Sequence, residues 1–454
     1  MGWGLSSGQP PRVDRISPND LTNLAVDHGP VPMNIAAVLV IGDAGDLALP
    51  DVRSLLGERL PRVPRMRQRL VRATVGSGRP YWVDDASFSL DRHLRAVELT
   101  GVHTLARDPD ARLLHVAADL VCRRLPHDRP LWNAAWVTGL DGGAAALVLV
   151  VHHVLADGLG GLAVLGALAD GGAEAARSPF PAPPPGRRQL SEDAWRERAR
   201  ALRGIRAGLS GSAAGLRELG LAGRRPTLAP ATSLNRPTGP RRRLTTVAVP
   251  LDEVVDLAHA RHCTVNDVVL TAIVGAMAGT LRLRGERPTE LVVSVPISSR
   301  AGTTADQLGN QTGVVPMSLP TLPDPHERLA RVTAISRERR RGPRGASAGP
   351  MGLVFRAVGR LGLFQAFINR QRLVNTFVTN VRGPAAPLSL DGHRVSAVIP
   401  VAVNPGNVGV SFDVLSYAGR LGVTVVADPE VVPDQDQLTR LLSDEVTALL
   451  STGR

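Results

Sequence analysis

VHHVLADGLGG, residues 151–161, closes an apolar run, AAALVLV, and decides how this chain is read. Side chains in an extended strand alternate between two faces. In LVLVVHHVL, Leu149, Val151 and His153 therefore share one face, and Val150 and His152 the other. One imidazole can look into a cavity while its neighbour packs inside the protein. Asp157-Gly158 then supplies a turn, and LGGLAVLGALAD reads as an apolar helix. Glycines 158, 160 and 161 permit close approach of strand and helix.

A neutral imidazole can take a proton from a hydroxyl as that oxygen attacks a carbonyl. His153 is the candidate for this role. The two GxSxG matches, GLSSG (4–8) and GASAG (345–349), do not follow an apolar strand as a nucleophile elbow does, so a serine acyl-enzyme is not indicated. A base without an evident protein nucleophile suits direct transfer between two bound substrates. Asp157 could orient His153, or pair with an arginine; the intervening turn favours the pair. Adjacent strand histidines point apart and cannot hold one ion. No HExxH or Cys/His set completes a metal site, so none is expected.

Composition narrows the classes further. The 454 residues exceed one core, which predicts two domains. With 43% apolar and 21% charged residues the chain reads as globular and soluble. Its net charge is +12, and all 53 basic residues are arginine, which excludes a lysine Schiff base and a P-loop lysine. Only 14 aromatics are present, too few for a base-stacking surface, so no nucleic acid is expected. Cys122 and Cys263 form no CxxC, and a reducing cytosol fits. The start, MGWGLSSGQPPRV, lacks a signal-peptide pattern. Its Gly2 and Ser6 match the loose myristoylation pattern, for which an ordinary bacterial start is the plainer explanation. No window reads as a membrane span.

Three blocks are expected. Residues 1–170 mix strands, including PMNIAAVLVIG (32–42), with amphipathic helices such as DARLLHVAADLVCRRL. Residues 171–243 form a Pro/Arg-rich crossover with a basic helix near AWRERARALRGIRAGL (194–209). Residues 244–454 begin with two helices, LDEVVDLAHARHC and TVNDVVLTAIVGAMAGTLRLRG. They end in the strands NTFVTNV, HRVSAVIP, VGVSFDVLSY and RLGVTVVAD and a terminal helix. That pattern predicts two α+β halves joined by a long crossover.

HHVLADG resembles the HHxxxDG motif of the coenzyme A-dependent acyltransferase superfamily, which includes chloramphenicol and carnitine acyltransferases and peptide-synthetase condensation domains. RPLWN (129–133), TVNDVVL around Asn266 and Asp267, TNVRGP (379–384) and LSYAGRLGVTVVADP (415–429) resemble motifs of bacterial wax ester synthases/diacylglycerol acyltransferases. FSLDRHLRAVEL (88–99) and ISPNDLTNL (16–24) are similar to that family too. Order and spacing agree along nearly the whole chain.

The resemblance implies two chloramphenicol-acetyltransferase-like mixed-sheet domains forming a pseudo-dimer, with a tunnel at their interface. It implies acyl-CoA as co-substrate, no cofactor, and diacylglycerol or a long-chain alcohol as acceptor. His153 maps to the family's general base; His152, Asp157 and Gly158 complete the motif. Pro130, Leu131, Trp132, Asn266, Asp267, Asn380, Gly383 and Tyr417 are expected to bind substrate or support the site.

Read from their chemistry, Leu131 and Trp132 bury most simply as core. Thr264 could cap the next helix with Asp267 in its first turn. Asn266 could instead bond across the domain interface. Asn380 could donate near substrate or serve a turn, and Tyr417 could place a phenol in the tunnel. One departure is Asn133, where the family often has an acidic residue. Two rivals remain: acylation of a specialised or carrier-bound metabolite, and a non-catalytic lipid-surface protein using the basic helix and RERRRGPR (337–344). The expected location is the cytoplasm, with peripheral contact at the inner membrane, anionic lipid or lipid droplets.

Overall fold

The structure, a computed structural model, describes residues 13–101, 109–172, 179–203, 228–298, 312–341, 363–403 and 405–451. The N-terminal myristoylation pattern, most of the crossover after Arg203, and residues 342–344 of the basic run lie outside them.

Among the described residues the strands form two six-stranded mixed sheets and one hairpin. The first sheet is built on β1 (Asn34–Ile41), β4 (Leu94–Glu98), β5 (Trp132–Thr138) and β6 (Ala145–His152). The second contains β7 (Arg243–Pro250), β8 (Glu290–Ser298), β9 (Thr312–Pro320), β10 (Thr376–Arg382), β13 (Val410–Tyr417) and β14 (Arg420–Ala427), in the order β7-β14-β13-β10-β8-β9. The hairpin, β2 (Gln68–Val71) with β3 (Tyr81–Asp84), stands apart.

The block division at 244 misses one feature. β11 (Ser389–Leu390) and β12 (His393–Ala402) leave the second half and complete the first sheet, in the order β11-β12-β1-β6-β5-β4. β12 runs antiparallel to β1, with Ile35 opposite Ala402 and Leu39 opposite Val398. The two halves are thus joined by main-chain hydrogen bonds as well as side-chain packing.

Alternation of side chains sets the layers. One face of the first sheet, with Val38, Ala135 and Val148, packs on α3 (Pro109–Val121). The other, with Leu39, Trp136 and Leu147, packs on α2 (Leu49–Arg59) and α4 (Gly158–Leu168). In the second sheet Val378, Phe412 and Val414 meet α7 (Val265–Leu283) and α10 (Gln435–Ser451). Their odd-numbered neighbours Val381, Leu415 and Tyr417 face the first half. α7 is long and apolar enough to cross a membrane, but 83% of its apolar window is buried. A helix apolar all round is a core helix here. Thr264 caps it, accepting from Asp267 N while Asp267 Oδ2 accepts from Thr264 N.

Candidate active site

The end of β6 carries the histidine pair as strand alternation requires. His152 turns inward and is 1% exposed. Its Nδ1 accepts from Val154 N at 3.0 Å, so the ring proton sits on Nε2, 3.3 Å from Asp27 Oδ2. Asp27 also accepts from Met33 N at 2.9 Å, and Met33 O accepts from His153 N at 2.7 Å. Burial pushes the Asp27 carboxyl up; the His152 bond, Met33 N–H and Arg124 outweigh it and leave the carboxyl below its ordinary range. His152 is therefore a positioning residue for the strand end. Its place in the expected catalytic set is corrected: both ring nitrogens are engaged with the protein.

His153 faces the other way, into a cavity of about 110 Å³ between the halves. Leu149 and Val151 of β6, Ile35 and Ala37 of β1 and Pro400 of β12 form one wall. Thr379 and Val381 of β10 and Asp413 and Leu415 of β13 form the other. The volume is on the scale of apolar cavities of roughly 150 Å³ that hold one small guest. It suits the reacting ends of two substrates rather than a whole acyl chain. Burial holds the His153 imidazole below its ordinary proton affinity, against the opposing pull of Asp157. The ring is thus mainly neutral at pH 7, the form a base needs.

The next residues shape the cavity. Asp157 caps α4, its Oδ1 accepting from Gly160 N at 2.9 Å. This cap is a third role, beside the two expected of it. A Cβ on Gly158 would lie 3.0 Å from Val381 Cγ2, so the glycine lets α4 approach β10. Gly161 has another role than the close packing expected: a Cβ there would meet nothing within 4 Å, and the residue lines the cavity.

The companion residues are placed mostly as scaffold. Leu131 is fully buried, and its carbonyl accepts from His152 N at 2.9 Å. Pro130 is buried beside it. Trp132, 1% exposed, donates Nε1–H to Met66 O at 2.7 Å and stacks on His93 at 4.4 Å. Together they brace β5 against β6. Asn380 Nδ2 donates to Asn266 Oδ1 at 3.0 Å. Both belong to the second half, so Asn266 does not bond across the interface as expected. Strand parity turns Asn380 toward α7 and away from Thr379 and Val381, so it is not placed to donate to substrate in the cavity. Gly383 permits contact with β13, because a Cβ would lie 2.5 Å from Ser416 O. The tunnel phenol is also corrected: Tyr417 donates to Val395 O at 2.9 Å and accepts from Leu388 N at 2.7 Å. It clamps the chain leading into β12.

Among the described residues no group of His, Cys, Asp or Glu could hold a metal ion. Residues 16–269 match the wax ester synthase/diacylglycerol acyltransferase catalytic domain, and residues 308–449 match the C-terminal domain of the same family. The chain belongs to this family. It is an acyltransferase. One relative, named a probable diacylglycerol O-acyltransferase, comes from Mycobacterium tuberculosis; it is 31% identical over 97% of this chain and 93% of its own length. A Mycobacterium bovis relative has the same identity and coverage. Among solved structures, the wax ester synthase/diacylglycerol acyltransferase of Marinobacter aquaeolei VT8 superposes with a TM-score of 0.68 at 20% identity, covering 97% of this chain and 99% of that one. The first condensation domain of the calcium-dependent antibiotic synthetase gives 0.61 at 20% identity, covering 98% and 97%. These two show the fold: α+β, with two acetyltransferase-like halves.

Two residues of this family member escaped the sequence reading. Asp27 stands 125 positions before its histidine partner, and only the neighbouring ISPNDLTNL stretch hinted at it. Asp413 sits in a strand that reads as plain sheet. The available signal was a charged residue inside the apolar run VSFDVLSY.

Proposed function

We propose that His153 is the general base in direct transfer of a fatty acyl group from acyl-CoA to the hydroxyl of a diacylglycerol or a long-chain alcohol. The observation that carries this is the His153 imidazole lining a cavity shared by both halves, where burial lowers its proton affinity. The acceptor hydroxyl gives its proton to His153 as its oxygen bonds to the thioester carbonyl carbon. The tetrahedral intermediate then collapses, the C–S bond breaks, and the imidazolium returns the proton to the coenzyme A sulfur. The thiol leaves readily because its pKa, near ~8.5, is far below that of an alcohol. Apolar walls keep water from competing for the thioester, and holding both substrates together supplies much of the rate.

The test is product identification. Purified protein, labelled palmitoyl-CoA and either diacylglycerol or hexadecanol should give triacylglycerol or wax ester. Free fatty acid alone, or label moving only to an amine or carrier-bound acceptor, would overturn the lipid reading.

The same proposal places the protein in the cytoplasm, touching anionic lipid at the inner membrane or a lipid droplet. α5 (Arg187–Arg203) favours this contact. Its inner face is anchored by Arg15 to Asp193 at 2.6 Å and by Arg79 to Glu197. Its outer face leaves Trp195 and Leu202 each 68% exposed among arginines. Exposed apolar anchors among cations suit a lipid headgroup layer. Trp195→Ala should weaken flotation with anionic vesicles; unchanged flotation would remove α5 from the contact.

A further inference from the structure

The cavity holds a second ionisable side chain. Asp413 is 3% exposed, and its register neighbour on the parallel strand β10 is Thr379. Both line the cavity with His153. Asp413 Oδ2 accepts from Ala402 N at 2.6 Å, and the Thr379 side chain hydrogen-bonds the carboxyl. Burial pushes the carboxyl up to about 7, and only these two hydrogen bonds oppose it. Asp413 and Thr379 stand on the wall supplied by the second half, and His153 follows β6 in the wall supplied by the first, so they address separate parts of a bound molecule.

Most of the lining is aliphatic or glycine. A fatty acyl chain is all methylene beyond its thioester and offers this polar pair nothing. A carboxyl near half-protonation presents both an O–H donor and free lone pairs. It can meet a hydroxyl or an ester oxygen equally well.

We propose that Asp413 and Thr379 form a specificity-determining pair that selects an acceptor carrying a second oxygen beside the reacting hydroxyl, over an unsubstituted alcohol. This rests on the acyl-transfer reading above. The pair touches the part of the acceptor next to the reacting atoms, and His153 acts on the hydroxyl itself. The competing account is purely structural, a tie from β13 to Ala402 of β12.

The decisive comparison uses two acceptors differing by one hydroxyl, 1,2-hexadecanediol and 1-hexadecanol, competing for palmitoyl-CoA. Wild type should favour the diol. Asp413→Leu and the nearly isosteric Thr379→Val should each lower the diol-to-alcohol ratio of kcat/KM by about tenfold or more, since a site built for an oxygen discriminates strongly. Asp413→Asn, which keeps a donor and an acceptor, should restore part of the preference. An unchanged ratio in Thr379→Val, or equal loss on both acceptors, would overturn the proposal, as would a change seen only with 3-hydroxyacyl donors. Calorimetric binding of both acceptors to wild type and Thr379→Val reads the pair without turnover. A wild type that binds the diol preferentially but transfers to neither acceptor would sink the acyl-transfer reading and leave the pair standing. Equal binding of the two acceptors would sink the pair.

Discussion

Gly158 approaches Val381 so closely that a Cβ on the glycine would lie 3.0 Å from Val381 Cγ2. The first residue of α4, in one half, thus fixes a cavity wall belonging to the other. Gly158→Ala should force Val381 to yield by a few tenths of an ångström and lower acyl transfer. Gly158→Val should lower it more. Val381→Ala in the Gly158→Ala background should restore activity, and a double-mutant cycle measures that coupling. Additive losses would show that the contact does not shape the cavity.

Asp27 should matter as much to folding as to rate. It receives the His152 Nε2–H, Met33 N and Arg124. Asp27→Ala leaves a buried ring N–H and a backbone N–H without their acceptor, a cost of about 2–3 kcal/mol. Denaturant unfolding of the first half should show that loss, and His153 should lose rate because Met33 holds its backbone. Full stability in Asp27→Ala would contradict this.

The pH profile should follow His153. Its proton affinity is lowered, chiefly by burial, so its midpoint falls below the free value near ~6.5. The neutral ring is the active form, so kcat/KM should rise with pH through a midpoint below that value. A midpoint above 7 would mean that another group, or a charged neighbour, sets the profile.

Asp413 should cost stability at neutral and alkaline pH. Its folded pKa of about 7 lies above the ordinary carboxylate value of 3.8 that it has in the unfolded chain. Between those values the folded protein binds more protons, so stability falls as pH rises, and the loss is complete above pH 7. The full span is roughly 4 kcal/mol by linkage. Asp413→Asn, which cannot ionise, should therefore gain stability over wild type at pH 8 and little at pH 4. Parallel stability curves for the two proteins would contradict a buried, uncompensated carboxyl.

Much of this architecture was legible because it rests on local rules. Alternation in LVLVVHHVL alone predicts opposite faces for His152 and His153, and the structure places them so. RLGVTVVAD covers β14, and Thr264 caps α7 as its position suggests. What escaped was long-range. HRVSAVIP reads correctly as a strand, yet nothing in its pattern says that it pairs with β1, some 360 residues earlier. Tyr417 reads equally well as a tunnel phenol or a clamp; only the positions of Leu388 N and Val395 O decide. Asp413 looks out of place in an apolar strand, but the face it occupies depends on a partner sheet that the strand itself does not specify.

Single-turnover acyl transfer by His153→Ala tests the central claim most directly. With circular dichroism and unfolding unchanged, the rate of ester formation should fall by at least ~10²-fold with little change in acyl-CoA binding, as expected for loss of a general base. Ester formation within a few-fold of wild type would show that the imidazole lining the cavity does not carry the proton.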